Sequence, residues 1–211
     1  KHVETNQTDK DKNLIYLYTT EPEKQDTYIR SIRNKSYDIL EFDTIIDSHF
    51  INHLEQKLDK IQLKRVDADT IDKLIDKDDT LASVLSEAEE TSVKETFEAA
   101  IADPNMTVSV ASHAVDELPV IITMSEFMRR MKDMSMTGGG GFPMMGGMPD
   151  QYNVTVNANH PITQKILAAK TDKKKQTLAK QAFDLALLSQ NMLSGSKLTE
   201  FIERSVKIIA K

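Results

Sequence analysis

The sequence predicts an α/β unit followed by an α+β unit. Three observations carry that reading: strand-like and helix-like apolar patterns alternate as far as Val66, a locally acidic stretch follows, and the chain closes on two amphipathic segments. Leu14 to Tyr18 is a short, almost continuously apolar run with aromatic and β-branched residues, suited to a strand buried on both faces. Pro22 then sits where a first-turn proline belongs, and Tyr28, Ile29 and Ile32 fall at helical spacing from Glu23 onward. Tyr37 to Phe42 is strand-like again. Phe50, Ile51, Leu54 and Leu58 mark a second helix, and Ile61 to Val66 alternates as a third strand would. This β-α-β-α-β order predicts a small parallel sheet over residues 1–66 with helices packed on it.

Between Arg65 and Asp103 there are twelve acidic residues against four basic ones, so the chain's overall charge of -6 is concentrated here. Residues 67–80 read as a charged linker opening the second domain, 81–211. In that domain the spacing predicts a helix from about Leu81 to Ala102 with Leu81, Val84, Leu85, Val93, Phe97 and Ile101 on its apolar face, stopped by Asp103-Pro104-Asn105. Met106 to Val115 alternates with period two, and Val120 to Thr123 extends or pairs with it. Met124, Phe127, Met128, Met131 and Met134 then recur at helical spacing, which puts them on one stripe with Glu126, Arg129, Arg130 and Lys132 opposite. Thr137 to Pro149 holds six of the seven glycines, together with Phe142, Met144, Met145 and Met148, and is expected to be a loop.

Tyr152 to Val156 reads as a strand, and His160-Pro161 as the start of a helix carrying Ile162, Ile166 and Leu167. Leu178 to Leu193 and Leu198 to Ile209, parted by Ser194-Gly195-Ser196, predict an antiparallel helical pair. Such a pair leaves apolar surface over, and a second copy would complete a four-helix bundle.

Composition excludes several functions. With 33 acidic and 27 basic side chains the net charge repels phosphate, so a nucleic-acid scaffold is not expected. The apolar runs are too short to cross a bilayer and no signal peptide opens the chain, so neither membrane nor export is expected. Zero cysteines exclude disulfides and thiolate metal sites, and fit a cytoplasmic protein. His49 and His53 have the spacing of two zinc ligands, but Phe50 stands where a zinc protease needs glutamate, and no metal is expected. Gly138 to Gly141 lacks the Lys-Ser/Thr of a phosphate cradle. There is neither a G-x-S-x-G elbow nor a cysteine nucleophile, so catalytic residues are not expected. Methionines on a stripe are core in the ordinary case. Here a glycine loop carrying further methionines adjoins them, which favours an adaptable surface for apolar partners.

The segment Asn157-Ala-Asn-His-Pro-Ile162, with Thr163-Gln-Lys-Ile-Leu167 and the helix that follows, resembles the Asn-Pro-x-His-Pro element and dimerisation helices of the heat-shock protein 90 molecular chaperones. Ser125 to Met134 stands where that family has its projecting client-contacting helix. Leu14-Ile-Tyr-Leu-Tyr-Thr19 through Phe42-Asp43 resembles the last strand-helix-strand unit of its middle domain. The resemblance implies a stress-response chaperone that forms homodimers and binds unfolded or partly folded clients. ATP and Mg would be used by an amino-terminal domain absent from this chain, which would hold no cofactor and have no ATPase activity of its own. By position it makes Met124, Phe127, Met128, Met131 and Met134 client contacts, and Leu185, Leu188, Met192, Leu198, Phe201 and Ile202 dimer contacts. A start at Lys1 without Met suggests a fragment. An end at Lys211 without Met-Glu-Glu-Val-Asp suggests a bacterial-type protein without tail-docking co-chaperones. The alternatives are a plain dimerising scaffold, or an enzyme fragment with a site at the strand ends near Thr19 and Asp43.

Overall fold

A computed structural model describes residues 2–43, 47–77, 81–136 and 149–210, without the side chains of 47–49 and 133–136. In chain order the elements are α1 (His2–Asn6), β1 (Leu14–Thr19), α2 (Asp26–Asn34), β2 (Ile39–Glu41), α3 (Asp47–Lys57), β3 (Ile61–Arg65), α4 (Ile71–Leu74), α5 (Glu87–Ile101), β4 (Met106–Ala111), β5 (Val120–Thr123), α6 (Glu126–Met136), β6 (Tyr152–Asn157), α7 (Pro161–Leu167), α8 (Asp172–Ser189) and α9 (Gly195–Ile209). They form two compact units: residues 1–80 with 123–152, and residues 81–122 with 153–211.

The first unit is built on a parallel sheet of order β2-β1-β3, in register Leu17↔Ile39 and Leu14↔Ile61. The central strand is the continuously apolar one, because β1 has a strand on both sides and buried side chains on both faces. Its even-numbered residues face α3, where Tyr18, Ile51 and Leu63 form a buried cluster edged by Tyr16, Phe42, Leu54 and Ile61. Buried Ile15 and Leu17 point the other way. The helix after Pro22 begins only at Asp26, because the Gln25 side chain accepts hydrogen bonds from Thr19 Oγ1, Thr20 N–H and Glu21 N–H and holds residues 20–25 in a turn. Residues 67–77 are not a linker. They carry α4 with Ile71, Leu74 and Ile75 buried, an apolar trio that the surrounding charges obscure in the sequence. Nor does α6 belong to the unit formed by the rest of the carboxy-terminal segment, since its polar face is bonded into the first unit.

The second unit has a mixed sheet of order β4-β6-β5. Ala158 N–H donates to Ala111 C=O at the matching ends of β6 and β4, while Asn157 N–H meets Pro119 C=O at the start of β5, so β6 runs parallel to β4 and antiparallel to β5. α5 starts at Glu87 rather than near Leu81, because Ser86 and Glu89 form a capping box that fixes the first turn; Leu81 and Val84 are exposed ahead of it. α8 absorbs the lysines of 173–175 behind a Thr171 cap, so the basic stretch is its first turn.

Asn157 and Asn159 tie this unit together. Asn157 Oδ1 accepts from His113 N–H (3.2 Å) and Asn159 N–H (3.0 Å), and its Nδ2 donates to Ala114 C=O (2.9 Å). Asn159 Oδ1 accepts from Val84 N–H, and its Nδ2 donates to the carbonyls of Ala82 and His113. Both side chains are buried and satisfied by loop backbone that has no strand to pair with. His160 then caps α7, with Nδ1 accepting from Ile162 N–H at 3.1 Å, which requires the unprotonated nitrogen; burial holds its pKa below the ordinary 6.5.

Asn157→Ala removes one acceptor and one donor from groups that stay buried, and should cost on the order of 2–4 kcal/mol in urea denaturation of the chain. His160 has a lowered folded-state pKa. Its contribution is therefore complete above pH 6.5 and is lost as pH falls through the folded-state value. His160→Asn keeps a capping acceptor without a titration, so its urea midpoint should fall less than the parent's between about pH 7.5 and about pH 5.5; equal falls would remove His160 from the account.

Candidate functional site

α6 is seated by its charged face. Met124 precedes it, 6% exposed, with its N–H donating to Asp67 C=O at 3.3 Å. At the first helical position Glu126 accepts from Tyr18 Oη (2.6 Å), Arg65 N–H (3.1 Å) and Arg130 Nε (2.9 Å). One turn on, the remaining four N–H bonds of Arg130 reach Asn52 Oδ1, both oxygens of Glu55, and Leu63 C=O. Burial opposes the Arg130 charge, but the bonds to Glu55 and Glu126 outweigh it and hold the guanidinium above its ordinary pKa. Burial, then the Glu126 charge, raises the Tyr18 phenol well above its usual range, so it remains a donor. Arg129, 8% exposed, pairs with Asp67 at 3.2 Å, and Asp67 is held bidentately by Arg65. Three of the charged residues opposite the apolar stripe, Glu126, Arg129 and Arg130, are thus the anchoring face, because half-buried carboxylates on α3 and after β3 give the two arginines partners.

The apolar stripe divides accordingly. Phe127 is 70% exposed, and Met128 and Met131 are half-buried. Met124 lies ahead of the helix in the core and is not part of an exposed stripe. The side chain of Met134 and the loop methionines Met144, Met145 and Met148, with Phe142, lie outside the described residues. Beside Phe127 runs a groove of about 560 Å³ lined by Ile61, Leu63, Ala68 and Leu74 together with charged side chains that include Glu126 and Arg130.

A second surface lies on α8 and α9. Ala179, Ala182, Phe183, Ala186, Leu187, Leu193 and Phe201 are buried, and α8 packs on α5 and α7 as well as on α9. Buried Asp184 pairs with Lys180 (3.0 Å) and Arg204, while Gln181 bonds Arg204 Nε and Ser205. Of the six residues expected at a dimer contact, Leu185, Leu188 and Ile202 are exposed, and Met192 and Leu198 are half-buried. Phe201 is already covered within the chain, beneath the Arg204 guanidinium at 5.9 Å. Val206 and Ile209, one and two turns beyond Ile202, are also exposed and extend the same strip; the i, i+4, i+7 spacing could have found them.

The other sequence candidates do not converge. Thr19 is buried against Gln25, Asp43 is exposed, and His53 is exposed while the His49 side chain lies outside the described residues. Among the described residues no helix is long and apolar enough to cross a membrane.

Comparison with known proteins settles the family. The chain is 31% identical to the chaperone protein HtpG of Bacteroides fragilis strain YCH46 over an alignment that covers 98% of the chain. It belongs to the HtpG chaperone family. It is also 34% identical to HtpG of Porphyromonas gingivalis strain ATCC 33277 over 88% of the chain, and 29% identical to HtpG of Bacteroides thetaiotaomicron over 98%. No protein-family model matches it. The chain spans 40% of the length of the Bacteroides relatives and 28% of the Porphyromonas one. In this HtpG-family chain, therefore, both surfaces belong to a portion of a longer relative.

Met124→Ser and Phe127→Ser separate core from surface. The first should lower stability by about 2–4 kcal/mol, since it exchanges a buried thioether for a hydroxyl and a cavity, while the second should change it by less than about 0.5 kcal/mol; paired urea titrations of the full chain measure both.

Proposed function

We propose that this chain is the portion of an HtpG-type molecular chaperone that joins two protomers and offers apolar side chains to unfolded or partly folded clients. The observation that carries the reading is Phe127: a large ring left 70% exposed on a helix whose charged face is fully engaged elsewhere. Phe127, Met128 and Met131 would meet clients, with Met134 beyond them. Loss of water from apolar client surface would supply the affinity, and duplication in a dimer would raise the effective concentration. Met124 takes no part, because reaching a client would mean leaving the core.

The dimer would form through Leu185, Leu188, Met192, Leu198 and Ile202, extended by Val206 and Ile209, with α8 and α9 of two copies making a four-helix bundle. Burying five such side chains per protomer, at about 1.5–3 kcal/mol each, supplies on the order of 10 kcal/mol before association entropy, enough for a stable dimer. Phe201 would support the interface from beneath. ATP and Mg would be handled by another part of the full-length protein, in the cytoplasm, and this portion would supply no catalytic group.

Two measurements test the reading. Leu185→Asp with Ile202→Asp should convert a dimer to a monomer in sedimentation velocity while the circular dichroism stays unchanged; a dimer that survives places the interface elsewhere. Phe127→Ser with Met128→Ser and Met131→Ser should weaken binding of a chemically unfolded model protein at least about fivefold with the dimer intact. Unchanged binding would favour the plain scaffold reading.

A further inference from the structure

β3 is an outer strand of the first sheet, and its free edge is closed without a strand. Leu14 N–H donates to Lys60 C=O and Val66 N–H to Tyr18 C=O, so even-numbered residues of this segment turn their backbone toward β1 and odd-numbered ones turn it away. The outward groups meet side chains from two helices. Leu63 N–H donates to Glu55 Oε1 at 2.7 Å, Leu63 C=O accepts from Arg130 Nη2 at 2.9 Å, and Arg65 N–H donates to Glu126 Oε2 at 3.1 Å. Arg130 joins both carboxylates, and each of its five N–H bonds has an acceptor. An edge strand with bare N–H and C=O groups templates pairing with another chain, and charged side chains are a recurrent defence.

The geometry points to a side-chain plug: Glu55, Glu126 and Arg130 stand in for a fourth strand along β3, so that seating α6 and closing the sheet against strand addition by a second copy of this chain are one event. Glu126 and Arg130 are on α6, and Glu55 is on α3. If α6 leaves its seat, Arg65 N–H and Leu63 C=O lose their partners at once and Glu55 loses its counter-charge. The face that carries Phe127 is then set by the same contacts that protect the edge.

Residue-resolved amide exchange on the full chain tests this. Arg130→Ala should speed exchange at Leu63 and Arg65 at least about tenfold while Gln62 and Lys64, bonded to β1, keep the parent rate; α6 amides should speed up together with them. Glu126→Ala should release Arg65 but leave Leu63, whose acceptor is Glu55. In a Leu185→Asp/Ile202→Asp background, which removes the proposed helical dimer, Arg130→Ala should also show concentration-dependent self-association by sedimentation velocity that the background alone lacks. Parent-like exchange at Leu63 and Arg65 in Arg130→Ala overturns the plug. So does equal acceleration from Gln62 to Arg65 in both variants, which would mean general loosening of the sheet, and so does an opened edge that leaves the chain monomeric at all concentrations.

Discussion

A parallel sheet of three strands has two open edges, and every backbone group on them must find a partner or face water. The first unit is organised by that constraint. Ahead of the point where β2 begins, buried Gln7 occupies the β2 side of β1: its Nε2 donates to Ile15 C=O, its own carbonyl accepts from Ile15 N–H, and its Oε1 accepts from Asp38 N–H. On the β3 side Glu55, Glu126 and Arg130 do the same work. Side chains that bond strand backbone cannot also point to solvent, so the orientation of α6 follows from the edge it covers, and the exposure of Phe127 follows from the orientation of α6.

The second unit meets the same constraint with neutral groups. Loops 82–84 and 112–114 have no strand to pair with, and the two asparagines of the Asn157-Ala-Asn-His-Pro segment supply the missing donors and acceptors. An amide offers both donor and acceptor from one short side chain, which suits a buried site with no counter-charge. The motif by which the family can be recognised is therefore part of the scaffold, and a strip of exposed apolar residues lies further along the chain, on α8 and α9.

Much of this was legible. The period-two and period-3.6 patterns located β1, α2, β3, α8 and α9, and the apolar run of Leu14 to Tyr18 identified the central strand, because burial on both faces leaves no polar position. The trio Ile71, Leu74 and Ile75 was not legible, since its acidic and basic neighbours on both sides give the composition of a linker. Nor was the seat of α6. An amphipathic pattern separates a helix into apolar and charged faces, but which face is buried depends on whether the charged one finds counter-charges, and Glu55 and Asp67 are distant in sequence from Arg130 and Arg129. Phe201 is expected at a dimer contact beside Ile202 for a related reason: both are apolar residues of one amphipathic helix, and only the packing of the unit decides which of the two is covered within the chain.

The sequence by itself determined the β1-α2-β2-α3-β3 order, the parallel character of the first sheet, the helical pair at the end and the absence of thiol chemistry, because each depends on local periodicity or composition. The tertiary structure alone decided that Met124 is core, that the charged face of α6 is its anchor, and that Phe201 is covered within the chain while Ile202 lies open. Those outcomes depend on pairing between residues remote in the chain, and a one-dimensional pattern carries no record of which remote groups meet.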